Sequence, residues 1–379
     1  MDLCDTPEEA AFRREAREWL KENVPPRPLS SGDTRAGFEQ HLGWERRLFA
    51  DRWSAVSWPE PYGGRGASLW QWLAFEDEYY RAEAPQRVTQ NGIFLLAPTL
   101  FTFGTEEQKE RLLPRMAAAE DLWCQGWSEP GAGRDLAAVS SKATRDDAAG
   151  GWRLSGQKTW TTRGAFCSHL FGLFRSDPAS TRHHGLTYFL VPLDGKGVTV
   201  RGFGRLDGDE GFADVFFDDV FVPDEAVLGE VGQGWSVAMA TTGSERGLTL
   251  RSPGRFLATV ERLRRLALDR PEAVTPELGD RIARSWMGAE AYRLFTLQQV
   301  TRMLEGSERD AESSLNKVFW SELDIAVHET AMDLLGPDAE LDDAWSRGFM
   351  FSLAGPIYAG TNEIQRNLIA ERLLGLPRR

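Results

Sequence analysis

The chain lacks most of the features that announce a functional class at a glance. Among its 379 residues there are only three cysteines, Cys4, Cys124 and Cys167. Odd in number and far apart, they offer neither a disulfide framework nor metal-ligand spacing, and they point to a reducing cytoplasm. Histidine is also sparse, with five in the chain. The adjacent pair His183 and His184 lies in a Pro/Ser/Arg-containing loop with no Asp, Cys or further His at ligand spacing, so it reads as surface. Positive charge is in deficit, with 44 Lys and Arg against 57 Asp and Glu and a net charge of −13. That balance argues against a nucleic-acid partner, because phosphate binding relies on clustered Lys and Arg. No apolar run reaches the ~18 residues needed to cross a bilayer. The acidic, amphipathic start, MDLCDTPEEAAFRREAREWL, does not have the form of a secretory signal. The expectation is a cytoplasmic protein with no membrane partner. There is no G-x-G-x-x-G, so a Rossmann dinucleotide site is not supported.

What is present describes a globular enzyme. Apolar residues make up 41% and charged residues 27%, and the length suits two or three packed domains. From residue 7 to about 120 the period is helical. Thr6, Pro7 and Glu9 read as a helix start, followed by Phe12, Ala16, Trp19 and Leu20 at helical spacing. Pro25, Pro26 and Pro28 end that helix, a loop spans Trp58 to Ser68, and another helix begins near Thr105. Residues 121–230 change character: GWRLSGQKTW, HLFGLFRS, GLTYFLVPL, GVTVRGF and ADVFFDDVFV read as strands broken by Gly, Asp and Pro. Such spacing predicts a compact barrel or sandwich, with Asp218 and Asp219 in a turn between two strand halves. From Trp235 the helical period returns. Helix, then β, then helix is an α+β arrangement with segregated layers, divided at 1–121, 122–230 and 231–379.

Three segments carry candidate chemistry. Cys124 to Asp135, CQGWSEPGAGRD, reads as a strand running into a Gly/Pro loop whose free N–H groups can approach an anionic cofactor, or as a plain surface turn. Gly156 to Gly164, GQKTWTTRG, sets Trp160 beside two hydroxyls, a pattern able to flank a planar ring and hydrogen-bond its edge. Tyr358 to Arg366, YAGTNEIQR, is a Gly-containing turn opening a helix, where anions are favoured.

Together with WPEPYGG, FGTEEQKERLLPRM, FFDDVFVPDEAVLGEVGQGW and NLIAERLLGLPR, in that order along essentially the whole chain, these segments resemble the acyl-CoA dehydrogenase family. The resemblance implies an N-terminal helical domain, a middle β-barrel domain and a C-terminal helical bundle, with FAD held between the last two. It implies that Gln125, Trp127, Ser128, Gly133 and Arg134 form the flavin-facing strand and loop. Trp160, Thr161 and Thr162 lie alongside the ring system, and Thr361 and Glu363 match further FAD-touching positions. Arg270 is the retained member of a strip that family members present to the FAD of a neighbouring subunit.

Dehydrogenating a thioester requires a carboxylate to take the alpha proton while a hydride leaves the beta carbon, and donors to hold the developing enolate oxygen. The usual family base precedes the Gly-Thr of the third motif, and here that position is Ala359. Members similar to isovaleryl-CoA and long-chain acyl-CoA dehydrogenases instead carry a Glu-Arg pair on the first long helix after the β-domain. Ser244-Glu245-Arg246-Gly247 stands at that place. The resemblance makes Glu245 the base, flavin N5 the hydride acceptor, Ser244 and Arg246 substrate neighbours, and the region of Ala359 and Gly360 the oxyanion side. Glu245, Thr249 and Ser252 fall at i, i+4 and i+7, one face of a helix, which Pro253 should disturb. Small polar residues on that face suggest a short, branched or polar-functionalised acyl group.

Two departures define alternatives. Arg134 replaces a common flavin-touching Ser, and Asp333 replaces a common Gln of the neighbouring-subunit strip. They motivate a second reading, a flavin-poor, catalytically silent partner subunit of a heteromeric enzyme; a third is an oxygen-using oxidase on the same fold. The resemblance further implies electron-transferring flavoprotein as electron acceptor and a dimer or tetramer, homomeric or heteromeric. The carrier is coenzyme A or an acyl-carrier protein.

Overall fold

Thr6 opens the first helix as its composition predicts: the Thr6 hydroxyl accepts from the Glu9 N–H while the Glu9 carboxylate accepts from the Thr6 N–H. The same reciprocal cap recurs at Ser68 with Gln71 and at Thr105 with Gln108, so three helix starts are written locally in the sequence. A computed structural model describes residues 4–133, 135–245, 252–306 and 312–377. Helices α1 (Pro7–Asn23), α2 (Arg35–Ala50), α3 (Leu69–Arg81), α4 (Ala97–Phe103) and α5 (Glu106–Ala117) precede the strands. After the strands come α6 (Gly234–Glu245), α7 (Pro253–Asp269), α8 (Pro276–Leu304), α9 (Glu312–Leu335), α10 (Ala344–Ser352) and α11 (Asn362–Leu368). No helix among the described residues is long and apolar enough to cross a membrane.

By contacts the chain divides into two units. One comprises Met1–Val24, Ser68–Ala84 and Arg246–Arg379; the other comprises Pro25–Ala67 and Pro85–Glu245. The helices that precede the strands are therefore shared out, α1 and α3 to the first unit and α2, α4 and α5 to the second. The first unit is helical. Phe256, Val260 and Leu263 of α7, Ala289 and Tyr292 of α8, and Trp320, Val327, Ala331 and Leu334 of α9 form its core, each set on one helical face at spacings of three, four or seven residues.

The second unit carries the strands: β1 (Trp123–Gly126), β2 (Lys142–Asp146), β3 (Gly151–Thr162), β4 (His169–Arg175), β5 (Leu186–Pro192), β6 (Val198–Phe203) and β7 (Phe212–Pro223). They form one sheet in the order β1-β4-β2-β3-β7-β6, with β5 on β4. The β1–β4 and β2–β4 pairs are parallel, and the others are antiparallel. Cys124, Ala143, Leu154, Phe174, Phe189, Val215 and Val222, from six different strands, share one buried cluster. A flat sheet cannot bring so many strands to one core, so this one curls.

Asp218 and Asp219 correct the sequence expectation. They lie inside the single twelve-residue strand β7, where Asp219 has φ +52°. The inward residues Ala213, Val215 and Phe217 are followed by Val220 and Val222. The acidic pair thus shifts the alternation by one residue, as a β-bulge does.

Candidate active site

In the second unit, β1 delivers the chain into the Gly/Pro loop. Gln125 pairs with Phe171 across the parallel β1–β4 ladder. Trp127 is buried, lies edge-on to Tyr188 with centroids 6.4 Å apart, and its indole Nε1 is buried without a hydrogen-bond partner. A buried unpaired donor is uncommon in a native fold and fits a site completed by a bound group. Ser128 is half-buried, and its carbonyl accepts from the Thr159 N–H at 2.9 Å. Gly131 and Gly133 face open space on the side where a Cβ would stand. Arg134 lies outside the described residues.

Glu129 and Lys158, members of the first and second segments with no role expected from the sequence, anchor the loop. Glu129 accepts from the Ser140 N–H at 2.7 Å, the Ser140 hydroxyl at 2.9 Å, the Ser141 N–H at 2.9 Å and the Lys158 ammonium at 2.7 Å. Lys158 is fully buried, also donates to the Leu173 carbonyl at 2.6 Å, and lies 4.8 Å from the centre of the Phe174 ring. Burial pushes the Glu129 carboxyl upward, but the Lys158 charge and the serine donors outweigh it and hold it at about 2. Lys158 has fewer acceptors; burial dominates and pulls the ammonium down to about 8 against the pull of Glu129. The sequence signal was a lysine in the middle of an otherwise inward-facing strand position.

A strand irregularity follows directly after Lys158. The β3–β7 register shifts between Lys158 and Thr161, and Trp160, at φ +58°, stands 60% exposed on that irregularity. Its ring is gripped edge-on by Phe203 at 5.1 Å and Phe212 at 5.4 Å. An exposed indole held rigidly in a strained backbone is a platform for a planar partner. Thr161 points the other way: it is fully buried and its hydroxyl donates to the Ala213 carbonyl at 2.6 Å. That donor is spent inside the sheet, whereas the adjacent Thr162 is half-buried at the end of β3.

Glu245 is the last described residue of α6. Val237, Ala238 and Thr241 are fully buried, and the Thr241 hydroxyl lies 2.9 Å from that of Thr99 and 3.3 Å from that of Tyr188. These contacts fix the helix that carries Ser244 and Glu245. Arg246 and Thr249 lie outside the described residues. The expectation of one helical face through Glu245, Thr249 and Ser252 is corrected. Ser252 has φ −54° and ψ 135° and caps a new helix, accepting from the Gly254 N–H at 3.2 Å, with Pro253 as the first residue of α7. Proline here starts a helix, because its missing N–H is not needed at that position. Replacing Ser252, which is 1% exposed, by Ala is expected to lower stability by about 1 kcal/mol. A urea unfolding curve with an unchanged midpoint would contradict that capping role.

In the first unit, the turn before α11 is conformationally strained. Ala359 has φ +55° and Gly360 φ +81°, two successive left-handed residues of which only the second is a glycine. Thr361 caps α11, accepting from the Ile364 N–H, and Glu363 is exposed, its carboxyl held below the usual range by N–H donors of that first turn and the Thr361 hydroxyl. Beneath the turn, the fully buried Lys317 donates to Asn362 Oδ1 at 2.8 Å, and the Ser321 hydroxyl reaches the same oxygen at 3.2 Å. This α9 contact, a second buried lysine and one outside the motifs, clamps the start of α11. Arg270 is engaged within its own chain, where it pairs with Asp338 at 2.6 Å and donates to the Leu335 carbonyl. Asp333 pairs with Arg281 beside a cleft of about 620 Å³ lined by α8, α9 and α10.

Comparison with known proteins covers all three regions of the chain. Residues 6–120 match the acyl-CoA dehydrogenase N-terminal domain, residues 124–220 its middle domain and residues 232–374 its C-terminal domain. The chain is 40% identical to acyl-CoA dehydrogenase IpdE1 of Mycobacterium tuberculosis over 97% of both chains. The solved Tcur3481-Tcur3483 steroid ACAD superimposes with a TM-score of 0.89 at 26% identity over the whole of both chains. For the ChsE4-ChsE5 complex from Mycobacterium tuberculosis the TM-score is 0.85 at 28% identity, again over both whole chains.

Proposed function

The chain belongs to the acyl-CoA dehydrogenase family, and from that premise we propose that Glu245 is its catalytic base and FAD its cofactor. It is an oxidoreductase that dehydrogenates acyl thioesters between the alpha and beta carbons. One observation carries the choice of base: Ala359 holds no carboxylate in the turn before α11, while Glu245, followed in sequence by Arg246, is carried on α6. Glu245 takes the alpha proton, Ser244, Arg246 and Thr249 border the thioester, and the Ala359 N–H, oriented by its left-handed backbone, donates to the enolate oxygen.

The residues present fit FAD. Trp160 offers an exposed ring face, Thr162 a hydroxyl and Trp127 a buried unpaired N–H, while the open loop at Gly131 and Gly133 leaves backbone room for an anionic group. Gln125, Ser128 and Arg134 from the same strand and loop, and Thr361 and Glu363 from the α11 turn, complete the proposed set. Arg270 belongs to it only if its Asp338 pairing yields to a neighbouring subunit's cofactor. When bound, FAD supplies the acceptor for the hydride.

We place the domain boundaries near 121 and 231. The assembly is a homo- or hetero-oligomer that passes electrons to electron-transferring flavoprotein in the cytoplasm. The heteromeric relatives support an oligomer of unlike subunits, since the solved Tcur3481-Tcur3483 and ChsE4-ChsE5 structures each pair two differently named chains. An anaerobic absorbance spectrum of the purified protein tests the function directly. The expected result is a yellow protein bleached by an acyl-CoA; a colourless protein that stays colourless with added FAD would assign it instead the role of a silent partner.

A further inference from the structure

In the second unit, one buried carboxylate joins three segments that are distant along the chain. Asp33, in the loop before α2, accepts from Arg163 Nε at 2.7 Å through Oδ1 and from Arg205 Nη1 at 2.5 Å through Oδ2. Asp33 and Arg163 are buried, and the Arg205 side chain is 17% exposed. Arg163 directly follows β3, and Arg205 lies two residues beyond β6. The third segment is the start of β7. The Arg163 N–H donates to the Gly211 carbonyl at 2.9 Å, and a Cβ on Gly211 would come within 2.5 Å of Arg205 Nη1. Arg205 also has a second carboxylate, donating to Asp207 at 2.7 and 3.2 Å.

Each of these segments supplies one ring around Trp160. Trp160 stands three residues before Arg163, Phe203 two before Arg205, and Phe212 directly after Gly211. Trp160 and Arg163 both hold left-handed backbone, with φ +58° and +55°, which residues with side chains keep only where the surroundings impose it. Phe203 and Phe212 can impose it on the indole only if they are themselves fixed, and between them runs the charged, glycine-rich GRLDGDEG. The bonds inside that loop are local: the Arg205 N–H donates to the Asp209 carbonyl at 2.9 Å and the Gly208 N–H to the Arg205 carbonyl at 3.0 Å. Asp33 ties the loop by its side chain to the end of β3. Burial raises its carboxyl, but the two guanidiniums outweigh that and hold it below the usual range, so both bonds are charge-assisted. A plain structural role, holding down the segment before α2, is already filled. Arg35 donates to the Ala165 carbonyl at 3.3 Å, and Phe38 packs on Phe166 at 5.1 Å.

We propose that Asp33 is a positioning residue for Trp160: through Arg163 and Arg205 it fixes the cage of Phe203 and Phe212 and so sets how the indole face meets a planar ligand. That ligand is FAD on the reading that Trp160 faces its ring, and the proposal rests on that reading.

The test follows Trp160 itself. The full chain is labelled with fluorotryptophan, and Trp160→Phe identifies the Trp160 fluorine resonance among the fourteen tryptophans. In Asp33→Asn and in Arg205→Gln that resonance is expected to move toward the shift of free fluorotryptophan while the others hold. Arg205→Gln keeps the buried Asp33–Arg163 pair, so it gives the answer where Asp33→Asn does not fold. A Trp160 resonance that stays in place in Arg205→Gln, or moves only together with all the others, would overturn the proposal. Titration of the flavin-stripped chain with FAD is the second readout. Arg205→Gln is expected to raise the Kd about 2- to 10-fold, the worth of one aromatic contact, and to have no further effect in a Trp160→Ala background. The same weakening in both backgrounds would overturn the proposal as well. A Trp160→Ala chain that binds FAD as the wild type does would instead sink the platform reading, and the fluorine shift alone would then sustain or overturn the hold of Asp33 on the indole.

Discussion

Glu245→Gln is expected to lower kcat/KM for any accepted acyl-CoA by about 10²- to 10⁴-fold, the usual contribution of a positioned general base. The amide keeps the size of the carboxylate and loses the lone pair able to take a proton. Because the contacts of α6 run through Val237, Thr241, Thr99 and Tyr188, the exchange should leave the fold and the protein's colour unchanged. A yellow variant that acyl-CoA no longer bleaches is the expected outcome; a variant that bleaches at the wild-type rate would remove Glu245 from the mechanism. A second substitution sharpens the test. Adding Ala359→Glu to Glu245→Gln places a carboxylate in a backbone already held at φ +55°, where the family's other base stands. Partial recovery of activity would show that the two positions serve one alpha carbon.

The sequence was most informative where function and folding use the same local signal. The capping boxes at Thr6, Ser68 and Thr105 state their helix starts in four residues, and the ordered motifs delimit the helical, β and helical regions. It was least informative where a residue's role depends on partners distant along the chain. Thr161 and Thr162 are chemically identical neighbours, yet the strand alternation sends one hydroxyl to the Ala213 carbonyl and leaves the other at the end of β3. Ser252 has helical spacing from Glu245 but opens a separate helix, because Pro253 favours a first-turn position. Asp218 and Asp219 look like a turn and instead form an irregularity within one long strand. Lys317 lies outside the motifs and Lys158 is an unremarked member of GQKTWTTRG, and the three-dimensional partners Glu129 and Asn362 explain the two buried ammonium groups.

Lys158 gives the largest stability effect expected of a single substitution. Lys158→Met fills the same inward position of β3 without a charge, but strands the Glu129 carboxylate, which is 6% exposed. Removing one member of a buried pair costs about 3–5 kcal/mol, because the remaining charge is left uncompensated. The pH dependence distinguishes this cause from a packing defect. In the wild type, Glu129 is held at about 2, below its unfolded value of 4.5. Its contribution is therefore fully present above pH ~4.5 and is lost as the pH falls toward 2. Without Lys158, burial acts against only the Ser140 and Ser141 donors, and the carboxyl rises above its unfolded value. The sign then reverses: the variant should regain stability as the pH is lowered from 7 toward 5, over a range where this group leaves the wild type unchanged. Urea unfolding at a series of pH values reads that slope. A constant offset between the two proteins from pH 7 to 5 would mean that the lysine fills space and does not neutralise Glu129. The expected slope would instead tie the Gly/Pro loop, through Ser140 and Ser141, to a single buried ion pair beside the platform at Trp160.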